Sequence, residues 1–246
     1  MHNLRRLLAA NARRGAYSAE ADTIMIYDVI VASDADAEWL GGVSAETVVR
    51  QIRSMSGPIT LRINSPGGDV FAARAIQAAM EAHPDQITAY VDGYAASAAS
   101  LIAVAADRCL MASSAFMMIH KAWTIAAGNA DEMMASAALL EKIDASLAET
   151  YQAKGGQTPD HWSDLMRAET WFTAQEALDQ GLADEVTAKP VKAAAQWDLS
   201  AYANAPAAPV AELEPVVAAP AVTPEETTDL EHRQRLHALR MRSPSA

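Results

Sequence analysis

The stretch Gly93-Tyr94-Ala95-Ala96-Ser97-Ala98-Ala99-Ser100 follows an alternating run, Ile87-Thr88-Ala89-Tyr90-Val91, and leads into an almost wholly apolar one, Leu101-Ile102-Ala103-Val104-Ala105-Ala106. The alternation predicts a strand and the apolar run a buried helix. A strand that feeds a helix through a tight corner of small residues can aim a side chain into a cleft. Ser97 therefore has two readings. Serine is a preferred helix N-cap, and it is a nucleophile when a base lies beside it. The octapeptide alone does not choose between them.

Immediately upstream, Ile59-Thr60-Leu61-Arg62-Ile63 alternates as a strand does, and Asn64-Ser65-Pro66-Gly67-Gly68-Asp69 is a turn cluster. A helix over Val70 to Ala82 places Ala73, Ile76, Ala79 and Met80 on one face, and His83-Pro84-Asp85 stops it. Earlier still, Thr23 to Val31 reads as one strand, and Ser44 caps a helix carrying Val48, Val49, Ile52 and Met55. Downstream, a short strand is expected near Arg108 to Met111. The longest helical signal runs from Ala130 to Ala153, with Met133, Met134, Ala137, Leu140, Ile143, Leu147 and Tyr151 at steps of three and four. A short helix follows Thr158-Pro159-Asp160. Another begins at Thr173, whose spacing to Glu176 is that of a capping box, and a last strand is expected around Asp184 to Val186. Strands alternating with helices of this length require crossovers, and so a largely parallel sheet in an α/β fold.

Three segments result: an N-terminal arm over 1–22, a folded domain over 23–188 and a tail over 189–246. In the arm, the apolar part of Arg5-Arg6-Leu7-Leu8-Ala9-Ala10 is too short for a signal-peptide core, and Arg13 and Arg14 interrupt it. Seven of the eleven prolines fall in the tail, among alanines, as in a semi-extended linker without a core of its own. A short terminal helix is expected after Thr223-Pro224-Glu225-Glu226.

A formal net charge of -12 argues against nucleic acid as a partner, since that affinity comes from neutralising phosphates. The apolar window over 87–106 holds Asp92, Gly93 and two serines, which suits a buried core element rather than a membrane span. Cys109 is the sole cysteine, so no disulfide framework exists and a reducing, cytoplasmic compartment is expected.

A serine nucleophile needs a base, a group that orients the base, and donors for the oxyanion. His120, in Met117-Met118-Ile119-His120-Lys121, sits at the end of an element and is the candidate base. Against it stands the reading of a structural histidine among apolar neighbours. Gly67-Gly68 after Pro66 is a natural source of oxyanion donors, because backbone N–H groups there are not shielded by a Cβ. The competing reading is an ordinary strand-to-helix turn. The loop lacks both the dinucleotide glycine pattern and the phosphate-binding lysine, so a nucleotide site is not expected.

Together, Asn64-Ser65-Pro66-Gly67-Gly68, Gly93-Tyr94-Ala95-Ala96-Ser97, Met118-Ile119-His120 and Phe172-Thr173-Ala174-Gln175-Glu176-Ala177 through Gly181-Leu182-Ala183-Asp184 resemble the collinear motifs of ClpP-type serine peptidases. The resemblance covers roughly residues 23–188. It implies the ClpP/crotonase-like α/β fold of repeated ββα units, with the helix at 130–153 as the protruding handle. It also implies Ser97 as nucleophile, His120 as base, and the N–H groups of Gly68 and Ala98 as oxyanion donors. Gly67, Gly68, Asp69 and Val70 would border the substrate strand. The family's third residue is usually aspartate; here the matching position is Glu169, with Asp164 as a second candidate. Neither metal nor cofactor is implied.

The partners the resemblance implies are a peptide or protein substrate and further copies of the chain in a homo-oligomeric ring. Glu169 and the tail resemble the ClpP-related proteases of phages and prophages that mature proheads. That setting implies a capsid or scaffold protein as substrate, in the host cytoplasm or the prohead. Alternatives are a degradative subunit working with an ATP-dependent unfoldase, a crotonase-like acyl-CoA enzyme, and an inactive structural ring protein.

Overall fold

The structure, a computed structural model, describes residues 10–11, 16–20, 22–188 and 197–206. The helix expected after Thr223, like the rest of 207–246, lies outside the described residues.

A mixed sheet carries β1 (Ala16–Glu20), β2 (Thr23–Tyr27), β5 (Ile59–Ser65), β6 (Ile87–Ala96), β7 (Arg108–Ala112) and β10 (Glu185–Thr187) in that order. Only β1 runs antiparallel to its neighbour within this row. The short β3 (Ile30–Val31) and β4 (Val43–Ser44) pair with each other. The helices between strands are α1 (Asp34–Leu40), α2 (Ala45–Ser54), α3 (Val70–Glu81) and α4 (Ala98–Ala105).

β6 is the organising strand because it changes partners along its length. Thr88–Val91 pairs with β7, whereas Tyr94–Ala96 pairs with β8 (Phe116–Ile119). β8 in turn pairs antiparallel with β9 (Thr170–Thr173). Gly93 sits between the two halves, where a Cβ would come within 2.6 Å of Asn64 Oδ1. The strand thus crosses from one part of the sheet to the other at a residue with no side chain, and α4 leaves its end.

α4 is buried along its length from Ala98 through Val104, which accounts for its unbroken apolar sequence. It packs between α3 and α5 (Ala130–Gly155), and these faces belong to one hydrophobic core. α5 is 26 residues long, roughly 39 Å at 1.5 Å per residue. An Asn129–Glu132 capping box starts it, and Gly156, at φ 76°, ends it. Of the expected stripe only Leu147 and Tyr151 are fully buried; Met134 lies exposed, so the helix projects beyond the body as the handle expectation requires. α6 (Pro159–Arg167) and α7 (Ala174–Asp179) follow, the latter opened by the Thr173–Glu176 capping box.

Several local expectations differ from the structure. The single strand expected over Thr23–Val31 is two, because the Asp28 carboxylate accepts the Val29 N–H at 2.7 Å and turns the chain. α1 went unread: its capping box joins Ser33 to Asp36, an aspartate where the usual signature has glutamate or glutamine. β8 and β9, too short for a periodic signal, were also unread. The arm expected over 1–22 contributes β1 to the sheet, and Asn11 is buried. Within the tail expected over 189–246, Trp197, Leu199 and Ala201 are buried against the domain. These three alternate with Asp198 and Ser200 over only five residues. Among the described residues no helix is long and apolar enough to cross a membrane.

Candidate active site

Two strand registers bring the candidate residues together. In the parallel β6–β8 pair, Ala96 faces Met118, and the Ser97 N–H donates to the Met118 carbonyl at 2.9 Å. His120 is the first residue beyond β8. In the antiparallel β8–β9 pair, Ile119 faces Thr170, so the next step of the register sets His120 opposite Glu169. Three element ends therefore converge: the close of β6, the close of β8 and the start of β9.

Ser97 occupies the N-cap position of α4, yet its side chain makes no capping hydrogen bond. Its hydroxyl instead lies 2.7 Å from His120 Nε2. The backbone is correspondingly unusual, with φ 53° and ψ -123°, a conformation that L-residues hold only when neighbours impose it. Ser100, the other serine of the corner, is fully buried. Its hydroxyl donates to the Ser97 carbonyl at 2.6 Å and meets the Tyr151 hydroxyl at 2.8 Å. Ser100 therefore braces the corner from behind.

Burial lowers the His120 pKa below the ordinary 6.5, while the negative charges of Glu169 and Asp144 pull it back up. Desolvation is the larger influence, so the ring is a neutral base at pH 7, able to accept the Ser97 proton. Asp144, on α5, is otherwise engaged by the Ala122 N–H at 2.8 Å and Lys121 Nζ at 3.3 Å.

Glu169 is beside the histidine but not bonded to it. Its carboxylate accepts the backbone N–H groups of Ala203 at 3.0 Å and Asn204 at 2.6 Å. Among the described residues no hydrogen bond joins Glu169 to His120. Asp164 is exposed and paired with Arg167 on the same helix, and it plays no part at the ring.

The glycine turn packs directly on the nucleophile. A Cβ on Gly67 would sit 2.6 Å from the Ala96 carbonyl oxygen and 2.8 Å from Ser97 Cβ; on Gly68 it would sit 2.1 Å from the Ile30 carbonyl oxygen. Ile30 donates to the Gly67 carbonyl and accepts from the Asp69 N–H, each at 2.9 Å. In a parallel bridge of this kind, the peptide groups of the residue between them, Gly68, point the other way. Gly68 thus turns its N–H and C=O from β3 toward the open edge. The expectation that four residues border a substrate strand narrows accordingly. Gly67 and Asp69 are engaged by Ile30, the Asp69 side chain caps α3 through the Ala72 N–H at 2.8 Å, and Val70 opens that helix.

Sequence reasoning missed Asn64, Trp197 and Tyr202. Asn64 Oδ1 accepts the Tyr94 N–H at 3.1 Å and Trp197 Nε1–H at 3.0 Å. The Tyr202 ring stands edge-on to His120, with centroids 5.5 Å apart, and its hydroxyl donates to the Pro66 carbonyl. Burial raises the Tyr202 pKa, so this hydroxyl stays protonated. One signal was available: Trp197 and Tyr202 are the two aromatic residues after position 189.

A serine in contact with a half-buried neutral histidine, beside a glycine turn and at a helix N-terminus, is the arrangement of a serine-type hydrolase. Residues 19–190 match the Clp protease family, and the chain belongs to that family, as a serine-type endopeptidase. An ATP-dependent Clp protease proteolytic subunit 1 of Leifsonia xyli subsp. xyli is 30% identical over 159 residues, 60% of this chain and 81% of the relative. An ATP-dependent Clp protease proteolytic subunit of Bacteroides fragilis is 33% identical over 134 residues, 53% of this chain and 64% of the relative. Among solved structures, a ClpP1 point mutant from Listeria monocytogenes superposes with a TM-score of 0.57 at 23% identity, covering 69% of this chain and 92% of its own. That likeness carries the fold, the ClpP/crotonase-like α/β architecture.

Proposed function

We propose that the chain cleaves peptide bonds through an acyl-enzyme on Ser97, and that its setting is the maturation of a phage prohead. One observation carries the chemistry: the Ser97 hydroxyl ignores the helix it caps and lies 2.7 Å from His120 Nε2. In the forward step, Ser97 Oγ attacks the scissile carbonyl carbon while its proton passes to His120 Nε2. The carbonyl oxygen becomes an oxyanion that accepts the N–H groups of Gly68 and Ala98. His120 then returns the proton to the leaving amine, and a water molecule, deprotonated by the same ring, hydrolyses the ester. Glu169 is the acid whose charge stabilises the imidazolium, and it takes the Nδ1 proton as a hydrogen-bond acceptor once its carboxylate turns from Ala203 and Asn204 to the ring. A substrate strand pairs with the outward-turned backbone of Gly68.

Glu169 in the third catalytic position, together with the proline-rich extension over 189–246, supports the prohead setting, with a capsid or scaffold protein as substrate. The degradative alternative has its own support, since the relatives named above are subunits of ATP-dependent proteases. Exposed Met134 and Leu139 on α5 suit contact with a second copy, and so a ring, under either reading.

A fluorophosphonate probe separates the chemistry from its rivals: labelling at Ser97, lost in Ser97→Ala, is expected of the peptidase. A crotonase-like enzyme or a structural ring protein gives none. Co-expression with candidate capsid proteins then separates the settings. Capsid cleavage without an ATPase supports maturation, whereas degradation of unfolded protein only with an ATPase present overturns it.

A further inference from the structure

The ten residues from Trp197 to Pro206 lie over the site just described, and their contacts are with its working parts. Trp197 donates to Asn64 Oδ1 at 3.0 Å, at the head of the glycine turn. Trp197 and Leu199 pack with Tyr94 and Trp171. Tyr202 reaches deepest: its ring stands against both His120 and Trp171, at 5.5 Å and 5.8 Å between centroids. The Tyr202 hydroxyl donates to the Pro66 carbonyl, and the Ser97 side chain lies close enough to influence it. The backbone of Ala203 and Asn204 closes on the Glu169 carboxylate, and Asn204 Nδ2 donates to the Ala168 carbonyl at 2.8 Å. At the other end, Asn11 and Asp198 exchange two hydrogen bonds, Asn11 Nδ2 to the Asp198 carbonyl at 2.8 Å and the Asp198 N–H to Asn11 Oδ1 at 2.6 Å.

We infer that Trp197–Pro206 is an intramolecular ligand of the catalytic cleft, seated by two aromatic side chains and holding Glu169 away from His120, so that the chain bearing it in place is latent. The inference rests on the assignment of Ser97 and His120 made under the proposed function. Two features mark the pose as inhibitory. A side-chain hydroxyl, not a peptide carbonyl, is what the segment presents beside Ser97, so no acyl transfer follows from it. The acid that the triad needs is bonded through both carboxylate oxygens to backbone N–H groups of the segment and makes no hydrogen bond to His120.

A third feature marks the segment as displaceable. Asn64 Nδ2 is buried under it without a hydrogen-bond partner. Turning the amide over is no remedy, because both groups that Oδ1 accepts from, Tyr94 N–H and Trp197 Nε1–H, are donors. An orphaned buried N–H penalises the seated state. A ligand that offered this atom a carbonyl would bind the cleft better than the segment does. The competing ligand class is therefore a peptide with aromatic side chains five positions apart and a backbone carbonyl placed over Asn64. Tethering gives the segment an effective concentration on the order of millimolar, which holds it in place against weak competitors.

The test compares full-length chains in their rate of fluorophosphonate labelling at Ser97: the unaltered protein, Tyr202→Phe, Tyr202→Ala, and Trp197→Ala combined with Tyr202→Ala. Rates are expected to rise in that order, by tenfold or more in the doubly substituted chain. A synthetic peptide of residues 197–206 is expected to slow that chain again. Release of Glu169 to face His120 is also expected to move the acid limb of the labelling rate to higher pH, a change that mere loosening of the fold does not produce. Equal labelling of the folded unaltered and substituted chains, with no effect of added peptide, overturns the inference and leaves the peptidase reading standing. Absence of labelling in every chain, Tyr202→Phe included, overturns the peptidase reading itself.

Discussion

Ser97 and Glu169 share a positive φ that no other non-glycine residue among those described adopts: φ is 53° at Ser97 and 50° at Glu169. At Glu169 the cause is local. α6 ends at Arg167 with Ala168 as its C-cap, so Glu169 is the left-handed residue that closes the helix, a place glycine usually takes. At Ser97 the cause is the corner between β6 and α4. Both strained residues carry side chains at the site, where stored strain is commonly found.

Replacing each residue by alanine and by glycine separates the strain from the side chain. Both substitutions delete the functional group; only glycine removes the Cβ that opposes positive φ. Ser97→Gly and Glu169→Gly are each expected to be more stable than the matching alanine variant by about 1 kcal/mol. Urea unfolding midpoints check this, and alanine variants as stable as the glycine ones would show the backbone to be relaxed.

Glu169→Gln keeps the shape of the side chain and removes its charge. Loss of the group that stabilises an imidazolium lowers turnover by roughly 10²- to 10⁴-fold in sites of this kind. A loss in that range, measured as kcat/KM on a peptide substrate, is expected. Glu169→Asp, which restores the family's usual residue, is expected to fall between the two. Should Glu169→Gln keep full activity, the histidine is oriented by something else.

How much of this was legible beforehand divides along physical lines. The β6–α4 corner was readable because five residues of alternation, Ile87–Val91, lead through a corner of small residues into an apolar run. Ser97 and His120 were readable because the motifs around them are continuous in sequence. The contact between them depends on β8, four residues long, and the approach of Glu169 depends on β9, equally short. Strands of that length carry two periods of alternation, which a run such as Phe116–Ile119, apolar throughout, does not display. The seating of Trp197 and Tyr202 was hidden for a different reason. The segment lies within a stretch rich in alanine and proline, whose composition reads as linker, and the alternation of Trp197, Leu199 and Ala201 spans only five residues.

Activity should depend on pH through His120, which must be neutral to accept the Ser97 proton. Burial sets its pKa below 6.5, with Glu169 and Asp144 opposing. The acid limb of kcat/KM is therefore expected below pH 6.5. Removing the charge in Glu169→Gln takes away an influence that raises the pKa, so the limb moves to lower pH even as the plateau falls. A limb that moves upward would mean that Glu169 does not act on His120 electrostatically.

The glycine turn tolerates no side chain, but its two glycines fail differently. A Cβ at Gly68 meets backbone of β3 at 2.1 Å, so Gly68→Ala is expected to cost stability, by about 2 kcal/mol or more. At Gly67 the same atom presses on the Ala96 carbonyl and Ser97 Cβ, which displaces the nucleophile. Gly67→Ala is expected to reduce kcat by roughly 10²-fold, the scale set by small misplacements of reacting groups. Thermal melting and steady-state kinetics on the same two variants distinguish these effects.

Behind the nucleophile, Tyr151 on α5 meets Ser100 at 2.8 Å, and Ser100 donates in turn to the Ser97 carbonyl, tying the base of the projecting helix to the catalytic corner. Since the Ser100 hydroxyl gives its proton to that carbonyl, the Tyr151 O–H donates to Ser100. Burial raises the Tyr151 pKa, so the phenol keeps its proton. Ser100→Ala leaves the Tyr151 hydroxyl buried without a partner and is expected to cost about 1–3 kcal/mol. The Ser97 carbonyl loses less, because the Ser100 N–H still donates to it at 2.9 Å. Made in the Tyr151→Phe background, Ser100→Ala no longer orphans a hydroxyl, and its cost should fall by about 1 kcal/mol. A double-mutant cycle by chemical unfolding measures this coupling, and additive costs would mean that the two hydroxyls do not depend on each other.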